Sequence, residues 1–423
     1  MIRADLVVAG CRQLLTCGGP IPKRGDALRD VGLVESAWVA SDRGRIVFVG
    51  SEKKFRETVR PDNGCEVIDA GGLVGLPGFV DSHTHLPFAG NREQEFMLRL
   101  KGATYQELTA KGMGIQTTVR ATRQTAKKEL VTLCLRRLDE MLLHGTTTAE
   151  AKSGYGLNLL DEIKQLEALQ EAQALHPVTI VPTFMGAHEI PPEFKGRNAE
   201  FIDLLIREVI PEVGRRRLAE FFDVFCEQGV FSLEETRRLV DAARRAGFKI
   251  RIHADEFTPL GGAELAVEVG AYSADHLISI TDEGIRRLAG STTVATLLPG
   301  VSFFLMLNQK APARRLIEAG AVVALASDFN PGSSMMNSML FVLQLGVLTL
   351  KMSLEEAVNA VTANAAYALG RHAQIGSLEP GKAMDLVLWD VPSYLTLAYH
   401  LGVNPARHIV KNGRSVVRDG RKL

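Results

Sequence analysis

The stretch "GLPGFVDSHTHLPFAG", residues 75–90, decides the fold. An apolar run with a Pro-Gly turn closes on His83-Thr84-His85. In a strand, side chains at i and i+2 share one face. His83 and His85 can therefore point the same way and chelate one ion. Further ligands must come from other strand ends, so the fold has to gather strand ends on one rim.

The chain downstream has the rhythm for such a fold. Apolar, strand-like runs at 76–85, 146–154, 178–188, 221–229, 249–257, 271–279, 292–300 and 321–329 alternate with helical stretches such as "TLCLRRLDEMLLH". The stretch "LEETRRLVDAARRAG" aligns Leu233, Thr236, Leu239, Val240 and Ala243 on one face, with arginines opposite. Eight strands with intervening helices predict an α/β fold, a (β/α)8 TIM barrel over residues 76–373. A doubly wound open sheet is the alternative; it needs a topological switch point and usually has fewer strands. Residues 1–75 and 374–423 read as short strands, with hairpin turns at Asp42-Arg43-Gly44 and Asn412-Gly413. Two β-rich ends around one long middle predict that residues 1–75 and 374–423 pair into a single small sheet domain.

The ten histidines sort by position. His83, His85, His188, His253 and His276 fall at or just past the C-terminal end of a predicted strand. In a barrel those ends form the rim that carries active sites. Asp328, in "LASDFNPG", ends the eighth strand on the same rim. His253 and Asp328 complete a ligand set with His83 and His85. Three imidazole nitrogens and one carboxylate oxygen suit a single zinc or ferrous iron, with a further position for water or substrate. H-x-H alone is a weak signal; its coincidence with the other rim residues strengthens it. His144 precedes Gly145 at a helix end, where a cation and a glycine cap both fit. His176, His372, His400 and His408 lack strand-end placement and read as structural or surface residues.

Composition narrows the partners. The 423 residues carry 49 Lys plus Arg and 49 Asp plus Glu, so a net charge of zero gives no reason to expect nucleic acid or an anionic membrane. The most apolar run, "MLFVLQLGVLTL", is interrupted by Gln344 and Gly346 and is too short to span a bilayer. The N-terminus does not read as a signal peptide, and five cysteines without CxxC spacing argue against a disulfide framework. A soluble cytoplasmic protein is the expectation. "GSLEPGKA" (376–383) nearly matches a phosphate-binding loop, but Pro380 sits inside it and no Ser or Thr follows Lys382, so a turn is expected. Lys152 lies on the second strand, where a modified lysine can bridge two metals; the fourth strand, "FFDVFCEQG", holds no lysine, and one metal is favoured over two.

"GFVDSHTH", "HADEF", "DHL", "SDFNPG" and the tail "IGSLEPGKAMDLVLWD" resemble the amidohydrolase superfamily over essentially the whole chain. Within it, "HTHLPFAGNREQEF", "KGATYQEL", "KGMGIQTTVRATR", "AKSGYGL", "FMGAHEIP" and "SDFNPGSS" are most similar to the imidazolonepropionase family. The resemblance implies a metal-bearing barrel with a small β-sandwich, one divalent or trivalent zinc or iron ion per subunit, and a homodimer. It places the ligands on His83, His85, His253 and Asp328. The implied reaction is hydrolysis of the ring amide of 4-imidazolone-5-propanoate to N-formimidoyl-L-glutamate, with water activated on the ion as nucleophile.

Asp328, His276 and Glu256 are the implied catalytic residues, sharing proton uptake, oxyanion contact and proton delivery in an order the sequence leaves open. Arg92, in the loop after His85, suits the substrate's carboxylate. The resemblance assigns further substrate contacts to Tyr105, Tyr155, His188, Glu256, Asn330, Gly332 and Ser333. Gly154 and Gly156 suggest a tight loop about Tyr155, and Asn330-Pro331-Gly332 reads as a turn aiming backbone donors into the site. Two rival readings use the same residues differently: a deaminase of a cyclic amidine such as cytosine or guanine, and a non-catalytic scaffold, which typically loses ligands that are all filled here.

Overall fold

Gly78 is where the chain passes from one sheet to another. The computed structural model describes residues 1–102 and 113–423. Before Gly78, β1 (Ile2–Leu15), β2 (Leu33–Asp42), β3 (Arg45–Ser51), β4 (Val59–Asp69) and β5 (Val74–Pro77) build a sheet from the N-terminal end. After it come the barrel strands: β6 (Phe79–Asp81), β7 (Thr146–Lys152), β8 (Thr179–Ala187), β9 (Phe221–Cys226), β10 (Lys249–Ala254), β11 (Ser273–His276), β12 (Val294–Leu297) and β13 (Val322–Leu325). The C-terminal strands β14 (Leu386–Trp389), β15 (Ala406–Lys411), β16 (Arg414–Arg418) and β17 (Arg421–Lys422) return to the first sheet. A side chain at Gly78 has no room: a Cβ would lie 2.3 Å from Thr147.

β14 pairs antiparallel with β5, which joins the two chain ends. By hydrogen bonding the expected sandwich is one continuous sheet, because β1 pairs with β2, β4 and β5 in turn. A bulge between Val8 and Cys11 bends β1. The sheet encloses its own core of Leu6, Val8, Leu14, Val39, Leu386 and Val410. Both expected hairpin turns form. Arg43 and Gly44 have φ of 50° and 79°, and Asn412 and Gly413 have 48° and 70°. Two consecutive positive φ values are the type I′ signature that matches strand twist. The turns also pack on each other, since a Cβ on Gly413 would lie 2.6 Å from Gly44 Cα.

The eight strands from β6 to β13 are parallel and in sequence order. Thr84 bridges Phe329, the Asp328 N–H donates to the His83 carbonyl at 3.0 Å, and the His85 N–H donates to the Phe329 carbonyl at 3.1 Å. These contacts close the first strand onto the eighth and remove the open-sheet alternative. β10 shows the alternation. Ile250, Ile252 and Ala254 join the core outside the barrel, while Arg251 and His253 meet Asp275 and His83 inside it. The helix Leu233–Arg245 buries Thr236, Leu239, Val240 and Ala243 as its spacing predicts. Leu233 is only partly buried, at the helix start beside the capping box of Ser232 and Glu235. In the buried helix Met339–Leu350, Gln344 Nε2 donates to the Leu397 carbonyl at 2.8 Å. No helix among the described residues is long and apolar enough to cross a membrane. Residues 376–383 are turns and bends leading to β14, as expected of the false phosphate loop.

Candidate functional site

The four residues expected as ligands converge at the rim. His83 and His85 follow β6 on either side of the bridge residue Thr84, His253 is on β10, and Asp328 lies just past β13. His83 Nε2 and His85 Nε2 are each 3.3 Å from Asp328 Oδ1. The His83 and His253 rings are 4.5 Å apart. Donor atoms of His83, His85 and His253 lie within 4.8 Å of one another, as do those of His83, His276 and Asp328. All five side chains are buried.

Their partners set which atoms face the centre. His83 Nδ1 donates to Asp275 Oδ2 at 2.8 Å, and His253 Nδ1 donates to Asp223 Oδ1 at 3.0 Å. An ionised carboxylate only accepts, so each ring carries its proton on Nδ1 and presents a lone pair on Nε2. Asp328 Oδ2 accepts from Asn330 Nδ2 at 2.9 Å and from Ser333 Oγ at 3.0 Å, which turns Oδ1 inward. His83 Nε2, His253 Nε2 and Asp328 Oδ1 are buried without a hydrogen-bond partner. Unsatisfied buried polar atoms are costly; here they share one focus. Imidazole nitrogens with a carboxylate oxygen are donors that zinc or iron accepts, so the residues fit a metal ion.

Backbone and electrostatics reinforce the focus. His276 and Asp328 both adopt left-handed backbone, with φ of 78° and 53°. Such conformations cost on the order of 1–3 kcal/mol and cluster at functional sites. Burial pushes His85 down to about 4, and pushes His188, His253 and His276 below the ordinary imidazole value. His83 is the exception. Burial and Lys152 act to lower it, but the hydrogen bond to Asp275 and the nearby carboxylate of Asp328 outweigh them and raise it. Burial, helped by the charges of Asp328 and Glu227, raises Glu256 well above the ordinary carboxyl value.

A cavity of about 400 Å³ opens over the centre. It is lined by Arg92, Tyr155, His188, Glu256, His276, Asp328, Asn330, Gly332 and Ser333. His188 stacks on His85 at 4.9 Å and its Nδ1 pairs with the Gly154 carbonyl at 3.0 Å. Gly154 (φ 115°) must be glycine, since a Cβ would press on His188 and the Met185 carbonyl at 3.0 Å. The tight loop forms, but its close approach is to His188 and Glu162. Two expectations need correction. The N–H groups of Gly332 and Ser333 do not point into the site; they donate to Asn330 Oδ1 at 2.8 and 2.9 Å, because Asn330 closes its own Asx turn. The Arg92 fork is already engaged, with Nε and Nη2 donating to Glu95 at 2.9 and 2.5 Å. Nη1 remains, beside Gly332. Tyr105 lies outside the described residues.

The sequence reading missed the residues behind the candidate ligands. Asp223 sits on β9 and Asp275 on β11, each orienting one histidine, and Arg251 Nη2 pairs with Asp275 Oδ2 at 3.0 Å. The signal was present: in "FFDVF", Phe222 and Val224 face outward, so period two turns Asp223 inward. Also missed were Glu95 and Arg99 at the cavity mouth and an apolar wall of Phe225, Phe257, Leu305 and Leu307.

A profile of the amidohydrolase family matches residues 100–421. The imidazolonepropionase of Symbiobacterium thermophilum is 49% identical over 99% of this chain and 98% of its own length. That of Geobacillus kaustophilus is 50% identical over 98% of this chain and 99% of its own. Among solved structures, the zinc complex of the atrazine chlorohydrolase from Arthrobacter aurescens superposes with a TM-score of 0.71 at 16% identity, covering 99% of this chain and 96% of that one. That likeness carries the fold. Together with the filled His and Asp positions on the barrel rim, the near-full-length matches establish that this chain belongs to the amidohydrolase family, among its imidazolonepropionases.

Proposed function

We propose that the chain hydrolyses the ring amide C–N bond of 4-imidazolone-5-propanoate to N-formimidoyl-L-glutamate, as a step in histidine degradation. The observation that carries this reading is the shared focus of unpartnered Nε2 and Oδ1 atoms at the floor of the cavity, in a chain so similar to named imidazolonepropionases. His83, His85, His253 and Asp328 would hold one zinc or iron ion. When bound, the ion supplies Lewis acidity that makes water nucleophilic near neutral pH.

The chain's own groups move the protons. Asp328 Oδ1, with Oδ2 fixed by Asn330 and Ser333, takes the proton of the attacking water. His276 is free of hydrogen bonds at both ring nitrogens and donates one N–H to the carbonyl oxygen as charge develops there. Glu256, whose carboxyl burial raises well above the ordinary value, delivers a proton to the ring nitrogen as the C–N bond breaks. The His276 ring lies 3.5 Å from Glu256 Oε1, so the two act side by side. Arg92 Nη1 meets the propanoate, while Tyr155 and His188 form a wall for the planar ring. Asn330, Gly332 and Ser333 shape the opposite side. Tyr105 is assigned to the substrate by family resemblance. The five free thiols suit a reducing cytoplasm, and a homodimer follows from the same resemblance.

The test is to incubate the metal-loaded protein with freshly prepared 4-imidazolone-5-propanoate. Loss of the ring's ultraviolet absorbance with stoichiometric N-formimidoyl-L-glutamate is expected. Ammonia release from cytosine or guanine, with no reaction of the imidazolone, overturns the assignment in favour of a deaminase.

A further inference from the structure

Lys152 has no place in the mechanism above, does not line the cavity, and is fully buried. Its Nζ donates to Glu150 Oε1 at 2.7 Å and forms an ion pair with Asp223 Oδ2 at 2.8 Å. Each carboxylate then reaches a different ligand segment. Asp223 Oδ1 accepts from His253 Nδ1 at 3.0 Å. Glu150 Oε2 accepts from the N–H of Thr84 at 3.0 Å, and Thr84 is the residue between His83 and His85. β7 grips that residue twice more. The Thr84 hydroxyl donates to the Glu150 carbonyl at 2.6 Å, and the Lys152 N–H donates to the Thr84 carbonyl at 2.9 Å.

We propose that Lys152 is a positioning residue for the metal site, clamping Glu150 to Asp223 and so fixing the spacing between the His83–His85 segment and His253. The two segments come from β6 and β10, which are not neighbours in the barrel. β7 and β9 carry the side chains that join them. Without the ammonium between them, Asp223 loses the contact that holds its Oδ2, and its grip on the His253 ring loosens. Stability is a poor reason for the arrangement: buried ion pairs contribute little net stability, and apolar replacements of similar volume often match them. Orientation of ligands is a sufficient reason, since outer partners of metal-binding residues control affinity by about 10- to 100-fold. This proposal rests on the metal-centre reading above.

The test uses full-length apoprotein titrated with cobalt(II), followed by visible d–d absorbance, alongside the thermal midpoint of each apoprotein. Lys152→Met alone leaves two buried carboxylates facing each other and can fail to fold. Lys152→Met combined with Glu150→Gln removes one charge of each sign and keeps the test open. The wild type is expected to take up one equivalent of cobalt. The double variant is expected to keep its apo midpoint, bind cobalt about 10- to 100-fold more weakly, and show a shifted band. Unchanged affinity and band overturn the proposal, as does a loss of affinity that merely tracks a lowered apo midpoint. A wild type that binds no cobalt overturns the metal-centre reading itself.

Discussion

Asp275 Oδ2 accepts a hydrogen bond from His83 Nδ1 at 2.8 Å, although 192 positions separate the two residues in sequence. The barrel brings the end of its first strand against its sixth, and this contact fixes the tautomer of His83. Asp275→Asn offers an amide that can donate as well as accept, so the ring is no longer forced to present Nε2. The expected result is metal affinity lowered about 10- to 100-fold with the fold intact, measured by chelator competition and circular dichroism. Unchanged affinity removes Asp275 from this role.

Glu95 holds Nε and Nη2 of Arg92 and leaves Nη1 for the proposed carboxylate contact. Arg92→Ala is expected to raise KM about 10- to 100-fold while kcat changes little, because a charge-assisted contact of roughly 1.5–3 kcal/mol is lost in ground and transition states alike. Steady-state kinetics on the propanoate substrate decides it. An unchanged KM in a folded variant moves the carboxylate to other donors, with Arg99 the next to test.

Glu256 is a buried carboxyl lining the cavity. Its carboxyl is raised well above the usual value, first by burial and then by Asp328 and Glu227. A raised acid binds its proton more tightly in the folded state, so its contribution to stability is full below the unfolded value of about 4.3 and is lost as pH rises through the folded value. Glu256→Gln is therefore expected to unfold at a higher temperature than the wild type in alkaline buffer, while kcat falls about 10²- to 10⁴-fold. Thermal melts across pH and rate profiles of both proteins test the two halves separately. A variant that loses activity with no gain in alkaline stability contradicts the burial argument.

The two hairpin turns offer a control far from the chemistry. Gly413 has a φ of 70° and no room for a side chain against Gly44. Gly413→Val is expected to cost about 1–3 kcal/mol in unfolding free energy with kcat unchanged, by chemical denaturation and assay. A substantial fall in kcat at full occupancy of the folded state would mean the terminal sheet communicates with the site.

The fold was legible because its signals are local. Strand runs, the amphipathic face of Leu233–Arg245 and the two φ-positive turns depend on neighbours in sequence. The four candidate ligands could be found because each stands at a strand end. Most of what lies behind them could not. Asp275 and Arg251 look like ordinary surface charges in a sequence, and only closure of the barrel buries them together with Asp223 and Lys152. The Asn330 turn failed in the reading for a related reason: its composition predicts a turn, but not whether its N–H groups serve a ligand or the asparagine's own side chain.

The central claim is that His83, His85, His253 and Asp328 hold one ion and that this centre opens the imidazolone ring. The most direct measurement strips the protein with chelator, adds back zinc or ferrous iron in steps, and follows 4-imidazolone-5-propanoate hydrolysis at each step. The account predicts no turnover in the stripped protein and a linear recovery that ends at one equivalent per chain. Full activity after complete removal of metal, or saturation of metal at one equivalent with the ring untouched, would contradict it.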